Sequence, residues 1–182
     1  MKDLCLFIIA LITVNSIAQT DFRGVSWGAT TQMVLSQEDN NLISNEENKL
    51  IYEVSLGDIN GTMMYQFTSS NKLMSGKYFL TPDYVNSTFY IRDYELFQDL
   101  LTQKYGQPVS YPRTNGIDKD NWGPKLVEGS LNLETRWETD RAEISLISLK
   151  TTDRVLIQID YVSNEFGRMG IKEKKKQILK DL

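Results

Sequence analysis

Histidine is absent from the 182-residue chain. Its absence removes the commonest general base, the commonest metal ligand and the side chain that titrates near neutral pH. Ser-His-Asp and Cys-His catalysis and His-ligated zinc are thereby excluded. Cysteine is almost absent too: Cys5 is the only one. There are four prolines, and three of them, Pro108, Pro112 and Pro124, fall in one stretch. No glycine-rich phosphate loop appears. The only sustained apolar run, Leu4 to Val14, is shorter than the roughly 20 apolar residues that cross a bilayer. The chemistry that remains belongs to carboxylates, Lys, Tyr, Ser and Thr.

Lys2 precedes the apolar run with a positive charge, and Ser16-Ile17-Ala18 follows it with small residues. This is the order of a secretory signal peptide over residues 1–18, cleaved between Ala18 and Gln19. Asp3 is a small departure, since an acid weakens the leading charge. Cys5 stands before most of the run rather than just after it, so lipid attachment at a processed cysteine is not expected. Cleavage leaves 164 residues with no thiol, no disulfide and no thiolate metal ligand. The sequence thus predicts an exported protein, periplasmic or extracellular, with no transmembrane segment after cleavage. Residues 19–182 are long enough to bury the core of one domain without disulfides.

The formal net charge of −4 is unevenly spread. Residues 168–182 hold six basic and two acidic residues, a balance of +4. Lys2 and Asp3 cancel, so residues 19–167 carry −8. An acidic body lacks the basic face that neutralises phosphates, which argues against a nucleic-acid partner. The basic tail reads as a solvated helix face, with docking on an acidic partner or a membrane surface as the alternatives.

After the leader the chain reads as two similar halves, about 21–80 and 90–163, followed by a Lys-rich helix over about 167–182. In the first half a short helix is expected over 30–37, with Thr30 as its cap and Met33 and Val34 facing inward. The acidic, Asn-rich residues 38–48 read as loop. Leu50, Tyr52, Val54 and Leu56 then alternate with Ile51, Glu53 and Ser55, the period of a half-buried strand. Gly57-Asp58-Ile59-Asn60-Gly61 is a turn cluster, in which Asn60-Gly61 favours a tight hairpin. Met63, Tyr65 and Phe67 mark a second strand, and residues 73–80 a third.

In the second half, Tyr94, Phe97, Leu101 and Tyr105 form the apolar stripe of a helix, with Asp93 as N-cap and Gly106 just past its end. Strands follow at Leu131 to Trp137, Ala142 to Leu149 and Val155 to Tyr161. Short links favour antiparallel pairing, and polar alternate positions favour a sheet that is wet on one side. The expected fold is α+β: two layers, with helices on one face of an antiparallel sheet, built as a tandem α-β-β-β repeat plus a carboxy-terminal helix.

Residues 107–129 break the pattern, and long loops in compact domains are often functional. This one carries Tyr111, Arg113 and Trp122, the candidate partner-binding residues. The alternative is a loop pinned against the sheet by Trp122. Asp118 to Gly123 partly matches a calcium loop, but Trp122 and Gly129 occupy the fifth and twelfth positions, where ligands are needed. No metal site is expected there. Glu134 and Glu138 would lie roughly 13 Å apart along a strand, too far for a glycosidase carboxylate pair, and cross-strand salt pairing on a wet face suits them better. Asn60-Gly61-Thr62 and Asn86-Ser87-Thr88 match the glycosylation sequon, which matters only in a eukaryotic secretory pathway.

Four motifs occur in order: Asp21-Phe22-Arg23-Gly24-Val25-Ser26-Trp27-Gly28, Lys104-Tyr105-Gly106-Gln107-Pro108, Thr135-Arg136-Trp137-Glu138-Thr139 and Ile159-Asp160-Tyr161-Val162-Ser163. In these the chain resembles a group of uncharacterised exported bacterial proteins over most of its processed length. The doubled plan is also similar to the β-lactamase-inhibitor-protein type of fold, which exported binding and assembly modules use. The resemblance supplies no catalytic residue. The expectation is a non-enzymatic module that binds an envelope or secreted protein, with no cofactor. The alternatives are a carboxylate-dependent hydrolase acting on glycan or peptide, and docking of the basic helix on a membrane surface.

Overall fold

The computed structural model describes residues 21–182, so the expected leader and Cys5 lie outside the described residues. The described chain opens with Phe22 and Val25 bridged across a two-residue turn. Arg23 and Gly24 in that turn both take positive φ, 48° and 82°, as a type I′ turn demands. Helix α1 (Thr31–Gln37) follows, and the Thr30 hydroxyl accepts the Met33 N–H as the sequence predicts. Val34 is buried, but Met33 is half exposed and Leu35 packs inward in its place. A helix of seven residues has one narrow inward stripe, and Val34 with Leu35 takes it.

Among the described residues seven strands make one sheet: β1 (Leu42–Glu46), β2 (Lys49–Leu56), β3 (Ile59–Phe67), β4 (Leu73–Leu80), β5 (Leu133–Glu138), β6 (Ala142–Lys150) and β7 (Val155–Ser163). Every neighbouring pair is antiparallel, in the order β1-β2-β3-β4-β7-β6-β5. The α+β class, the antiparallel sheet and the helices packed on it agree with the alternation in the sequence. Two meanders meet at their last strands, β4 and β7.

Strand β1 corrects the reading of residues 38–48 as loop. It is an edge strand with a register shift between Leu42 and Ser44, and both Leu42 and Ile43 are exposed. Neither of its faces enters the core, so no alternation marks it. The β2–β3 turn also differs from expectation. Leu56 pairs with Ile59, so the turn is Gly57-Asp58, with Gly57 at φ +63° in the position that a type II′ turn reserves for glycine. Asn60 and Gly61 belong to β3.

Gly61 instead permits a close approach. A Cβ there would stand 2.2 Å from the Phe79 carbonyl oxygen on β4. Gly61→Ala should therefore lower stability by about 1–3 kcal/mol, read from the denaturant midpoint. An unchanged midpoint would show that β3 and β4 separate here at no cost.

Helix α2 (Thr88–Tyr105) starts five residues before Asp93. Asn86 Oδ1 accepts the Thr88 N–H at the start, and Gly106 ends the helix at φ 85° as predicted. Asp93 is not a cap. It is buried inside the helix, paired with Arg92 and accepting the Tyr84 hydroxyl. Residues 107–129 are not all loop either: a single 3-10 turn (Lys119–Asn121) leads into α3 (Trp122–Glu128), whose Leu126 is fully buried. Helix α4 (Phe166–Asp181) closes the chain.

The core lies under α1, α2, α3 and the amino-terminal turn. Along β2, β3 and β7 alternate residues face it, among them Leu50, Tyr52, Met63, Tyr65, Ile157 and Ile159. Phe22 sits at its centre, 5.1, 5.4 and 5.2 Å from the rings of Tyr65, Tyr78 and Tyr161. Gly76 makes room for it, because a Cβ there would come within 2.5 Å of the Phe22 ring. Asp21 ties the same turn to the β5–β6 connection, binding Arg141 at 2.5 and 2.6 Å and accepting the Trp27 N–H at 2.8 Å. On the opposite face of the sheet Lys77 pairs with Asp160 across β4 and β7 at 2.7 Å. Helix α4 rests on that second face, with Gly167 against Val162 and Gly170 against Met74. The last helix therefore adds a partial third layer to the two expected.

Candidate functional site

Helix α2 packs on β5 and β6 and leaves a groove on its other side, facing the Gly57-Asp58 turn. Tyr94, Phe97 and Leu101 are its inward residues. Leu96 and Leu100 flank that stripe and are 52% and 49% exposed, so the helix is apolar over a wider arc than packing uses. They form one wall of the groove; Leu56 and Ile59 form the other. Tyr78, Ile159 and Tyr161 make the floor of a cavity of about 510 Å³. Burial pushes the Tyr78 and Tyr161 hydroxyls above the usual phenol range, so the floor is neutral at physiological pH.

Two cations of α2 mark the rim, Arg92 and Lys104, roughly 18 Å apart along the helix axis. Arg92 is held by the buried Asp93 at 3.0 Å and lies 4.7 Å over the Phe89 ring. The same carboxylate binds the Tyr84 hydroxyl. Burial, then Asp93, pushes that phenol up to about 12. Lys104 has no carboxylate partner among the described residues. It lines both the groove and a second cavity of about 370 Å³, walled by Asp21, Trp27, Tyr105 and Arg141. Trp27 is nine-tenths buried, and its indole N–H, itself buried, has no hydrogen-bond partner among the described residues. An apolar trough thus runs toward the ammonium of Lys104.

None of the three sequence candidates lines this trough. Trp122 starts α3, packs on the core and donates its indole N–H to the Ile117 carbonyl at 3.0 Å. Tyr111 is 55% exposed and donates to Gln107 Oε1 at 3.2 Å; Arg113 is exposed. The segment just before them borders the sheet edge, with the Val109 N–H on the Arg136 carbonyl and the Arg136 N–H on the Ser110 carbonyl. Trp122 therefore pins the segment, and Tyr111 and Arg113 are left as its outward side chains.

Glu134 and Arg136 pair at 2.7 Å along β5, not across strands. Residues Lys119–Asn121 of the partial calcium motif form the turn into α3. Among the described residues no group of three His, Cys, Asp or Glu side chains is disposed to hold a metal. No described helix is long and apolar enough to cross a membrane. The exposed wall of the groove was signalled in the sequence by Leu96 and Leu100, one place before Phe97 and Leu101; its far wall depends on strand order.

Comparison with protein-family models, curated proteins and solved structures finds no match.

Proposed function

We propose that this protein is an exported, non-enzymatic binding module of the cell envelope. Its α2 groove takes an apolar segment of a protein partner that carries an acidic group. The trough itself is the observation behind this reading: exposed leucines along one wall, neutral tyrosines on the floor and an unpaired Lys104 at the end. Clefts of this kind, apolar with a few convergent polar groups, are the usual form of a binding site. The charge of Lys104 supplies what a carboxylate would recognise. The leader-like residues 1–18 support export, and a chain without histidine or a processed thiol suits binding better than common catalysis.

A displayed random-peptide library selected on the protein tests this. Selected peptides should join apolar residues to an acidic one. They should lose at least tenfold in affinity to Leu96→Lys/Leu100→Lys and to Lys104→Glu, a loss of about 1.4 kcal/mol. Arg113→Ala, on the other exposed surface, should leave their binding unchanged. Selected peptides that ignore the groove substitutions but respond to Arg113→Ala would move the contact surface to Tyr111 and Arg113.

A further inference from the structure

Helix α4 is predominantly cationic. Of its two acids, Glu173 is engaged by the Ser69 N–H, which it accepts at 2.8 Å, while the exposed Asp181 borders a cleft that Lys174, Lys176 and Lys180 also line. Arg168, Lys172, Lys176 and Lys180 follow one another four residues apart, a row of like charges along one flank. Such i,i+4 repetition is unfavourable in an isolated helix. A merely solvated helix face relieves it with interleaved acids. Here none of these four, nor Lys174 or Lys175, forms an ion pair among the described residues.

Beside the cationic row runs an apolar one. Ile171, Ile178, Leu179 and Leu182 are 58%, 47%, 73% and 96% exposed. The opposite side of the helix is fixed to the protein, Gly167 on Val162 and Gly170 on Met74, so the outward side is held outward. The exposed arc of α4 therefore combines unpaired cations with bare aliphatic side chains, the composition of a helix that lies in a membrane interface.

We infer that α4 docks this protein on a bilayer surface rich in anionic phospholipid, with its lysines over the headgroups and its aliphatic row between them. Anionic headgroups supply the counter-charge that the row lacks, and each lysine near such a surface contributes about a fivefold gain in partitioning. The contact is peripheral and weakens as salt screens it.

Flotation of the full chain with vesicles tests the inference. Phosphatidylcholine vesicles with phosphatidylglycerol as minority lipid are compared with phosphatidylcholine alone, at low and high salt. The apolar residues 4–14, if still attached, add equally to both compositions, so the difference between them reads the helix. The protein should favour the anionic vesicles, and high salt should abolish the preference. Lys172→Gln/Lys175→Gln/Lys176→Gln should reduce it roughly a hundredfold. All three lysines are solvent-exposed, so an unchanged circular dichroism spectrum is expected to accompany the loss. Ile178→Ser/Leu179→Ser should weaken binding while leaving its salt dependence. Equal binding to both lipids, or a preference that survives the lysine substitutions, overturns the inference. So does retention of an acidic protein by α4 without any anionic-vesicle preference, which would make the partner a protein. The groove substitutions should leave vesicle binding untouched.

Discussion

Phe22→Ala should destabilise the domain by about 3–5 kcal/mol, the range for removing a large buried aromatic ring. The ring is 2% exposed and touches tyrosines from three strands, Tyr65 on β3, Tyr78 on β4 and Tyr161 on β7. Its removal leaves a cavity that Gly76 beneath it cannot fill. The two meanders should then separate more easily, so the loss should appear as reduced amide-exchange protection in β4 and β7 as well as in the global denaturant midpoint. Phe22→Leu, which keeps much of the volume, should recover part of the loss. A loss below about 1 kcal/mol for Phe22→Ala would mean that the amino-terminal turn rests on the core without helping to hold it.

Acid should expose a second large contribution, from Glu38. Its carboxylate is 4% exposed and binds Arg23 at 2.9 Å, the Tyr65 hydroxyl at 2.6 Å and the Asn40 amide. Burial alone would raise its pKa, but those three donors together hold it down to about 2. Burial, reinforced by Glu38, pushes the Tyr65 phenol up. A carboxylate with a depressed pKa adds stability that is complete above the ordinary value of 4.5 and is lost as pH falls toward about 2. The drop across that window amounts to about 3 kcal/mol. Glu38→Gln should therefore cost on the order of 3 kcal/mol at neutral pH, where it leaves the Arg23 guanidinium short of its counter-charge. The difference from the native chain should shrink toward zero near the lower end of the window. Denaturant midpoints that run parallel from neutral pH to strong acid would remove Glu38 from the acid response.

Where one side of an element faced the core, the sequence was readable. Leu50, Tyr52 and Val54, or Val155, Ile157 and Ile159, alternate because the sheet has one dry face. β1 was missed because neither of its faces is dry, and the start of α2 because Asp93 looks like a cap although the fold buries it to hold Arg92 and Tyr84. The four motifs hold much of the scaffold. Asp21 clasps Arg141, Arg23 clasps Glu38, Trp137 is buried and Asp160 pairs with Lys77. The same motifs also supply Lys104, Ile159 and Tyr161 to the groove and Trp27 to the cavity beside it. The groove needs Leu56 opposite Leu100, and that juxtaposition follows from the pairing of β4 with β7, which no local pattern encodes.

That same pairing has a consequence during biosynthesis. Lys77 and Asp160 are 83 residues apart, so the central seam of the sheet closes only when nearly the whole chain is present. Hairpins within each meander are local and form quickly, while the long closure is slow. As the polypeptide is made from its amino terminus, Phe22 waits without Tyr161 until β7 has emerged. Until then the central seam of the sheet lacks one of its two sides, and it closes only when β7 arrives beside β4.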